Sequence, residues 1–474
     1  MGTEIKKKKQ TMMCVEKLKL NNVKNKKLKS QTVSKISGIT LIALVVTIVV
    51  LLILAGITIS LVFSENGIIA KAKEAAEKTN QAAINEQEQM NGLGTTIENM
   101  LNGTGGSGEE TTPPEPTLPS DGSYSEEKGV NTPNLEEGMT AIKWDEAKND
   151  WIETTGSDQE WYDYTAKKWA NAKTSDGSMW VWIPRYAYSI TSGYHSSSAG
   201  NIDVEFMKGL TNETSTGRTT FQNSSGQGNW NIHPAFNYGQ TVSGIWVAKF
   251  EASNSSGKIK VEPGVQSWRS ITVNDIYTNC LNYNKTLNSH MMKNDEWGAV
   301  AYLSKSKYGK NAEVTINDSS SYYTGGGSGN AYVSNVGQST TGTVHGVYDM
   351  SGGAWEYVAG YVNNGHGNLT SYGSSLVNGD AKTKNVYSKG SSDSRDNNYS
   401  ANSGKYGDAV YETSANGNSS NGSWYGDDSF FPDTNFPFFV RGGYYYDAGV
   451  FCFNYDYGRD RNSYKSFRPV LVAL

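Results

Sequence analysis

The chain has 474 residues, of which 36% are hydrophobic, and carries a formal net charge of −5. Its 51 Gly and 29 Tyr point to a loop-rich, strand-bearing fold and away from a helical one, and its length leaves room for about two to four domains. Charge is uneven: residues 1–38 hold eleven Lys and two Glu, a balance of +9 that leaves −14 on the remainder, and so acidic a bulk argues against nucleic-acid binding.

In chain order, residues 1–38 read as a basic cytoplasmic leader. Ile39 to Phe63, ITLIALVVTIVVLLILAGITISLVF, holds no charge. As a helix it reaches about 37 Å, enough to cross an apolar bilayer core of about 30 Å. Lys-rich sequence before it and net-acidic sequence after it place the N-terminus in the cytoplasm. The expectation is a single-pass cell-membrane protein with its C-terminal domain outside. Two readings of the segment stand side by side. One is a plain signal anchor. The other rests on Ser37-Gly38-Ile39-Thr40-Leu41-Ile42, which resembles the cleavage site of type IV prepilins, where a peptidase cuts after the Gly. That resemblance implies Gly38 and Ile39 as processing residues and pilin subunits as partners. It departs from the family at Ala43, where pilins carry a Glu that pairs with a neighbour's terminal amine in the filament. Ser64 to Leu101 is rich in the helix formers Ala, Glu, Lys and Gln, with a thin apolar stripe through Ile68, Ala72, Ala75 and Ala76. It extends the apolar segment as a pilin-like stalk over 39–101, or is a solvated surface helix.

Residues 102–134 are a linker, Gly-, Ser-, Pro- and acid-rich without periodicity. From 135 to 178 three Trp-centred phrases split by polar turns predict a small aromatic strand module. MWVWIPRYAYSI (179–190) and GIWVAKFEAS (244–253) are the first long strand-like runs, with a large Gly/Ser/Asn-rich loop expected between them.

From this point a family resemblance emerges. GIWVAKFEAS, the expected helices SWRSITVNDIYTNCLNYN (267–284) and HMMKNDEWGAVAYLS (290–304), the phrase VHGVYDMSGGAWEYVAGY (344–361), and the closing RGG (441–443) and FRP (467–469) follow in order. Together they resemble the formylglycine-generating-enzyme, or sulfatase-modifying-factor, family. The resemblance implies an α+β, C-type-lectin-like head over 179–474, with two helices, twisted antiparallel sheet and much loop. Apart from the family, Asp349 ahead of Ser351-Gly352-Gly353 reads as a turn. Glu356 and Arg441 are expected to form a buried ion pair of structural role. Phe467–Leu471 is expected as a closing strand, its Pro placing it towards a sheet edge.

Catalysis is not expected. The family's oxidising members bind copper through paired Cys near the RGG phrase; counting from Arg441, Cys452 matches the second and Asp447 stands where the first would be. A single thiol does not make a paired site. The three Cys (14, 280, 452) and five scattered His form no zinc pattern, and no GxSxG, phosphate-binding loop or HExxH occurs. No metal or cofactor is expected; a Cys280–Cys452 disulfide stays open for an oxidising compartment.

The tail, RGGYYYDAGVFCFNYDYGRDRNSYKSFRPVLVAL, is crowded with Tyr, Asn, Asp and Ser. Changing the first two bases of an AAC or AAT codon yields Asn, Tyr, Asp, Ser, Cys, Phe, Arg, Gly or His, and never a stop. The tail therefore resembles the variable region of diversity-generating retroelement proteins, in which adenines are miscopied. The candidate binding positions in the variable region 441–469 are Tyr444, Tyr446, Asp447, Cys452, Asn454, Asp456, Tyr457, Arg459, Asp460, Arg461, Asn462 and Tyr464. Lys465 has no such codon and falls outside the set. Tyr offers large contact area at low entropic cost, and Asn, Asp and Ser adaptable hydrogen bonds. The expected function is ligand binding at the cell surface, to an extracellular protein or glycan; the alternatives are a minor pilin or adhesin in a filament, and an oxidoreductase of the formylglycine-generating type.

Overall fold

The computed structural model describes residues 123–459 and 463–474. The leader, apolar segment, stalk and most of the linker lie outside them, as do Gly38, Ile39, Asp460, Arg461 and Asn462. Among the described residues no helix is long and apolar enough to cross a membrane.

A ribbon of β1 (Tyr124–Ser125) and β2 (Val130–Asn131) opens the structure. Then β3 (Met139–Asp145), β4 (Asp150–Glu153), β5 (Asn171–Thr174) and β6 (Met179–Pro184) run as antiparallel neighbours in the order β4-β3-β5-β6. The Trp-rich segment 135–178 thus gives its strands to the same sheet as MWVWIP. β7 (Tyr186–Ser192), β8 (Asn201–Phe206) and β9 (Asn231–Ile232) form a three-stranded sheet with β7 in the middle. The stretch expected as one large loop therefore contains a strand, NIDVEF, whose Ile202, Val204 and Phe206 alternate inward.

β10 (Gly244–Ala248) lies beside β6, and all five of its residues are buried, as expected of a central strand. A ribbon of β11 (Ser253–Ser255) and β12 (Lys258–Lys260) leads to α1 (Val273–Tyr283). Thr272 caps α1 by accepting the Asp275 N–H, and Val273, Ile276, Tyr277 and Cys280 form its buried stripe at helical spacing. β13 (His290–Met291) precedes α2 (Asn294–Lys305), which is buried almost all round. Gly298 lets α2 approach the 403–412 loop: a Cβ there would stand 1.9 Å from the Gly407 carbonyl oxygen. Gly298→Ala is therefore expected to lower stability by about 1–3 kcal/mol, overpacking outweighing the roughly 1 kcal/mol that Ala gains in a helix. A rise in the urea midpoint would contradict this.

The second large sheet collects β14 (Trp355–Val362), β15 (Asn385–Tyr387), β16 (Asn418–Ser419), β17 (Ser429–Phe430), β18 (Phe438–Tyr444), β19 (Asp447–Asp456) and β20 (Lys465–Phe467). Between its strands run α3 (Gly367–Asn378) and α4 (Arg395–Ala401). β21 (Pro469–Leu471) leaves that sheet and joins the first, between β10 and β13. It is one strand in from the edge, and Pro469 lies opposite Met291 of the two-residue β13. The architecture is mixed and sheet-rich with few helices, around one contiguous aromatic core.

Candidate binding face at the C-terminal hairpin

β18 and β19 pair antiparallel, Phe438 opposite Asp456 and Tyr444 opposite Asp447, with a slip of register between Arg441 and Gly443. Gly442 and Gly443 take φ of +82° and +75° there, which a side chain would strain. Arg441 is fully buried. It donates to the carbonyls of Cys452, Asp408 and Ala409 and to Asn294 Oδ1, each at 2.9 Å. Burial pulls its guanidinium down to about 10, against the opposing charge of nearby Asp408.

The expected Glu356–Arg441 pair is not formed. The two residues are strand partners across β14 and β18, yet Glu356 forms its ion pair with Arg468, which donates through Nε at 2.7 Å and through Nη2. β14 also pairs with β20, and Arg468 follows β20 directly. Trp297 lies near both guanidinium groups, 5.5 Å from that of Arg441 and 5.9 Å from that of Arg468, and donates its indole N–H to the Val450 carbonyl at 2.8 Å.

On this frame the predicted positions divide. Tyr446 is 63% exposed and Tyr464 38%. Tyr444, half-buried, packs on both at 4.4 and 5.9 Å between ring centres, and its hydroxyl donates to that of Tyr446. Tyr445 and Tyr322 complete a patch of five tyrosines, Tyr445 lying edge-on to Tyr322 at 5.7 Å. The Arg269 guanidinium sits 4.1 Å over the Tyr322 ring and donates to the Ser463 carbonyl. Asp447 starts β19 at this end.

A second group lies at the other end of the hairpin. Asn454, Tyr457 and Arg459 are half-buried; Tyr457 packs 4.2 Å from Phe436, and Arg459 lies 4.3 Å over Tyr457. Tyr455 joins them, held by Arg395, whose guanidinium lies 4.0 Å over its ring and donates to its hydroxyl at 2.6 Å.

Two predicted positions do not face solvent. Cys452 is 1% exposed within β19. Cys452 and Cys280 are both free thiols, so the open disulfide is not formed. Asp456 is 4% exposed. It accepts from the Tyr357 hydroxyl and the Gly458 N–H and pairs with the Lys465 ammonium. That pair joins the end of β19 to the start of β20. Lys465, set aside on codon grounds, is thus a buried partner.

Sequence reasoning missed Tyr322, Arg269, Tyr445, Tyr455 and Arg395. Tyr445 and Tyr455 stand in the same tyrosine-rich run as residues that were picked. Tyr322, Arg269 and Arg395 come from distant segments and carry no signal of their own.

Chemically, the tip patch offers tyrosine rings and hydroxyls, two of which are hydrogen-bonded to each other. Among the described residues no three of His, Cys, Asp and Glu gather as a metal site. Comparison with protein-family models and with curated proteins returns no match.

Proposed function

We propose that this chain is a membrane-anchored, surface-displayed ligand-binding protein. Its binding face is the C-terminal hairpin and loop, carried on a head of the C-type-lectin-like, formylglycine-generating-enzyme type and diversified by a retroelement. The supporting observation is the partition of residues 441–469. Arg441, Phe453, Phe467 and Arg468 are sealed in the core, while Tyr444, Tyr446 and Tyr464 cluster outward at the tip. A rigid frame presenting large amphipathic rings suits recognition, because the rings lose little entropy on binding.

The test is to sequence codons 441–469 across many cells carrying the gene, with the flanking DNA. Expected are a reverse transcriptase, an imperfect template copy, and substitutions at adenines of codons 444, 446, 454, 457, 459 and 464. Codon 456 is expected unchanged among folded variants, since its carboxylate answers Lys465. Uniform sequence at codons 444, 446 and 464, or no template copy, defeats the proposal.

A further inference from the structure

Away from the hairpin, a groove of about 460 Å³ is lined by β8, Trp230 and the segment following α2, within the range of about 300–1,000 Å³ usual for small-molecule sites. On β8 the inward Ile202, Val204 and Phe206 leave Asn201, Asp203 and Glu205 on the outer face. Glu205 is engaged: Arg218 grips it through Nε at 3.1 Å and Nη2 at 2.9 Å, and the Thr214 hydroxyl donates to it at 2.8 Å. The Arg218 guanidinium in turn lies 3.9 Å over the Trp230 ring. The Trp230 backbone is tied on both sides to Gln222, donating to its side chain at 2.6 Å and accepting its N–H at 2.8 Å. The indole is thus held in place before any ligand arrives.

Its N–H is not used. Of the 12 Trp in the chain, Trp151, Trp161, Trp169, Trp180, Trp182, Trp246, Trp297 and Trp424 all donate to a protein acceptor. Trp144, Trp230, Trp268 and Trp355 do not, and of these four Trp230 lines this groove. Around it the side chains of Asp203, Asn201 and Asn311 are exposed and make no hydrogen bond or ion pair among the described residues.

We propose that this groove binds a pyranose sugar. With Arg218 over one face of the Trp230 ring, the slightly positive C–H face of a pyranose meets the negative face opposite. Its adjacent hydroxyls, each donor and acceptor, match one carboxylate and two amides set side by side. An extended peptide would want several apolar pockets; here the aromatic contact is Trp230. Lys307 also lines the groove, but its ammonium lies 4.9 Å over the Tyr308 ring, and the unpaired Asp203 opposes a phosphorylated ligand. The site is independent of the C-terminal face and does not depend on diversification.

Saturation-transfer NMR on the full chain tests this with three probes: the methyl glycosides of glucose, galactose and N-acetylglucosamine. Transfer is expected to the ring protons of at least one. Affinity should fall about tenfold in Trp230→Ala, the worth of one well-placed aromatic contact, and comparably in Asp203→Ala, with Trp230→Phe retaining part of the binding. Urea midpoints of the variants confirm that they fold. No transfer from any of the three probes, or transfer undiminished in folded Trp230→Ala, overturns the proposal.

Discussion

Arg468→Met is expected to remove about 3–5 kcal/mol of stability, a large part of the roughly 5–15 kcal/mol that holds a domain folded. Arg468 is 1% exposed and joins three parts of the structure. It grips Glu356 of β14 through Nε and Nη2, donates to the Ala248 carbonyl at the end of β10 through Nη1 at 3.0 Å, and to the Tyr348 carbonyl through Nη2 at 3.0 Å. Two further buried carboxylates, Glu251 and Asp349, share its charge. Without the guanidinium, Glu356 is left charged or must take up a proton, and three acids face one another in a low-dielectric interior. Arg468→Lys keeps the charge but loses the fork, and is expected to recover only part of the loss. Arg468→Met with Glu356→Gln should be more stable than Arg468→Met alone, because the stranded charge is gone. Denaturant unfolding of the parent, Arg468→Met, Glu356→Gln and the double variant gives the coupling directly. If Arg468→Met costs less than about 1 kcal/mol, the ion pair does not hold the two sheets as described.

The same residues show what the sequence could disclose. The phrases MWVWIP and GIWVA announced strands because every position is apolar or aromatic, and both are buried throughout. Two of the expected helices are present, with α1 beginning at Val273, where Thr272 caps it. RGG was legible as a backbone requirement, since two positive φ values leave little choice but Gly. Partner choice was not. Glu356 stands opposite both Arg441 and Ser466 in register, and which arginine reaches it depends on where β20 enters the sheet. The burial of Cys452 and Asp456 was equally hidden. Tyr, Asn, Asp and Cys on a strand look alike whether the face above is open or covered. Here the cover for Asp456 comes from Tyr357 and Lys465, both on other strands. Tyr446 and Tyr464, by contrast, are exposed.

Glu412 supplies the second large effect, a dependence of stability on pH. Its carboxylate is 1% exposed and accepts three hydrogen bonds on Oε2: from the Tyr188 hydroxyl at 2.7 Å, the Tyr302 hydroxyl at 3.0 Å and the Gly407 N–H at 2.7 Å. No cation answers it among these contacts. Burial, with nearby Asp408 adding to it, raises its pKa from 4.5 to about 7 despite the three donors. The folded chain therefore keeps a proton that the unfolded chain gives up above pH 4.5. Its contribution to stability is complete below pH 4.5, falls as pH rises through about 7, and is level beyond; the whole change is about 3 kcal/mol. Asp408, also raised by burial, pulls in the same direction. Glu412→Gln keeps an oxygen for the three donors and removes the titration. The variant should match the parent near pH 4 and exceed it by about 1–3 kcal/mol at pH 8. The readout is the difference between the two denaturation curves at each pH, which cancels every other titrating group. A difference that stays constant from pH 4 to 8 would mean that Glu412 is ionised in the folded core throughout, its charge carried by the tyrosine hydroxyls and the Gly407 amide alone.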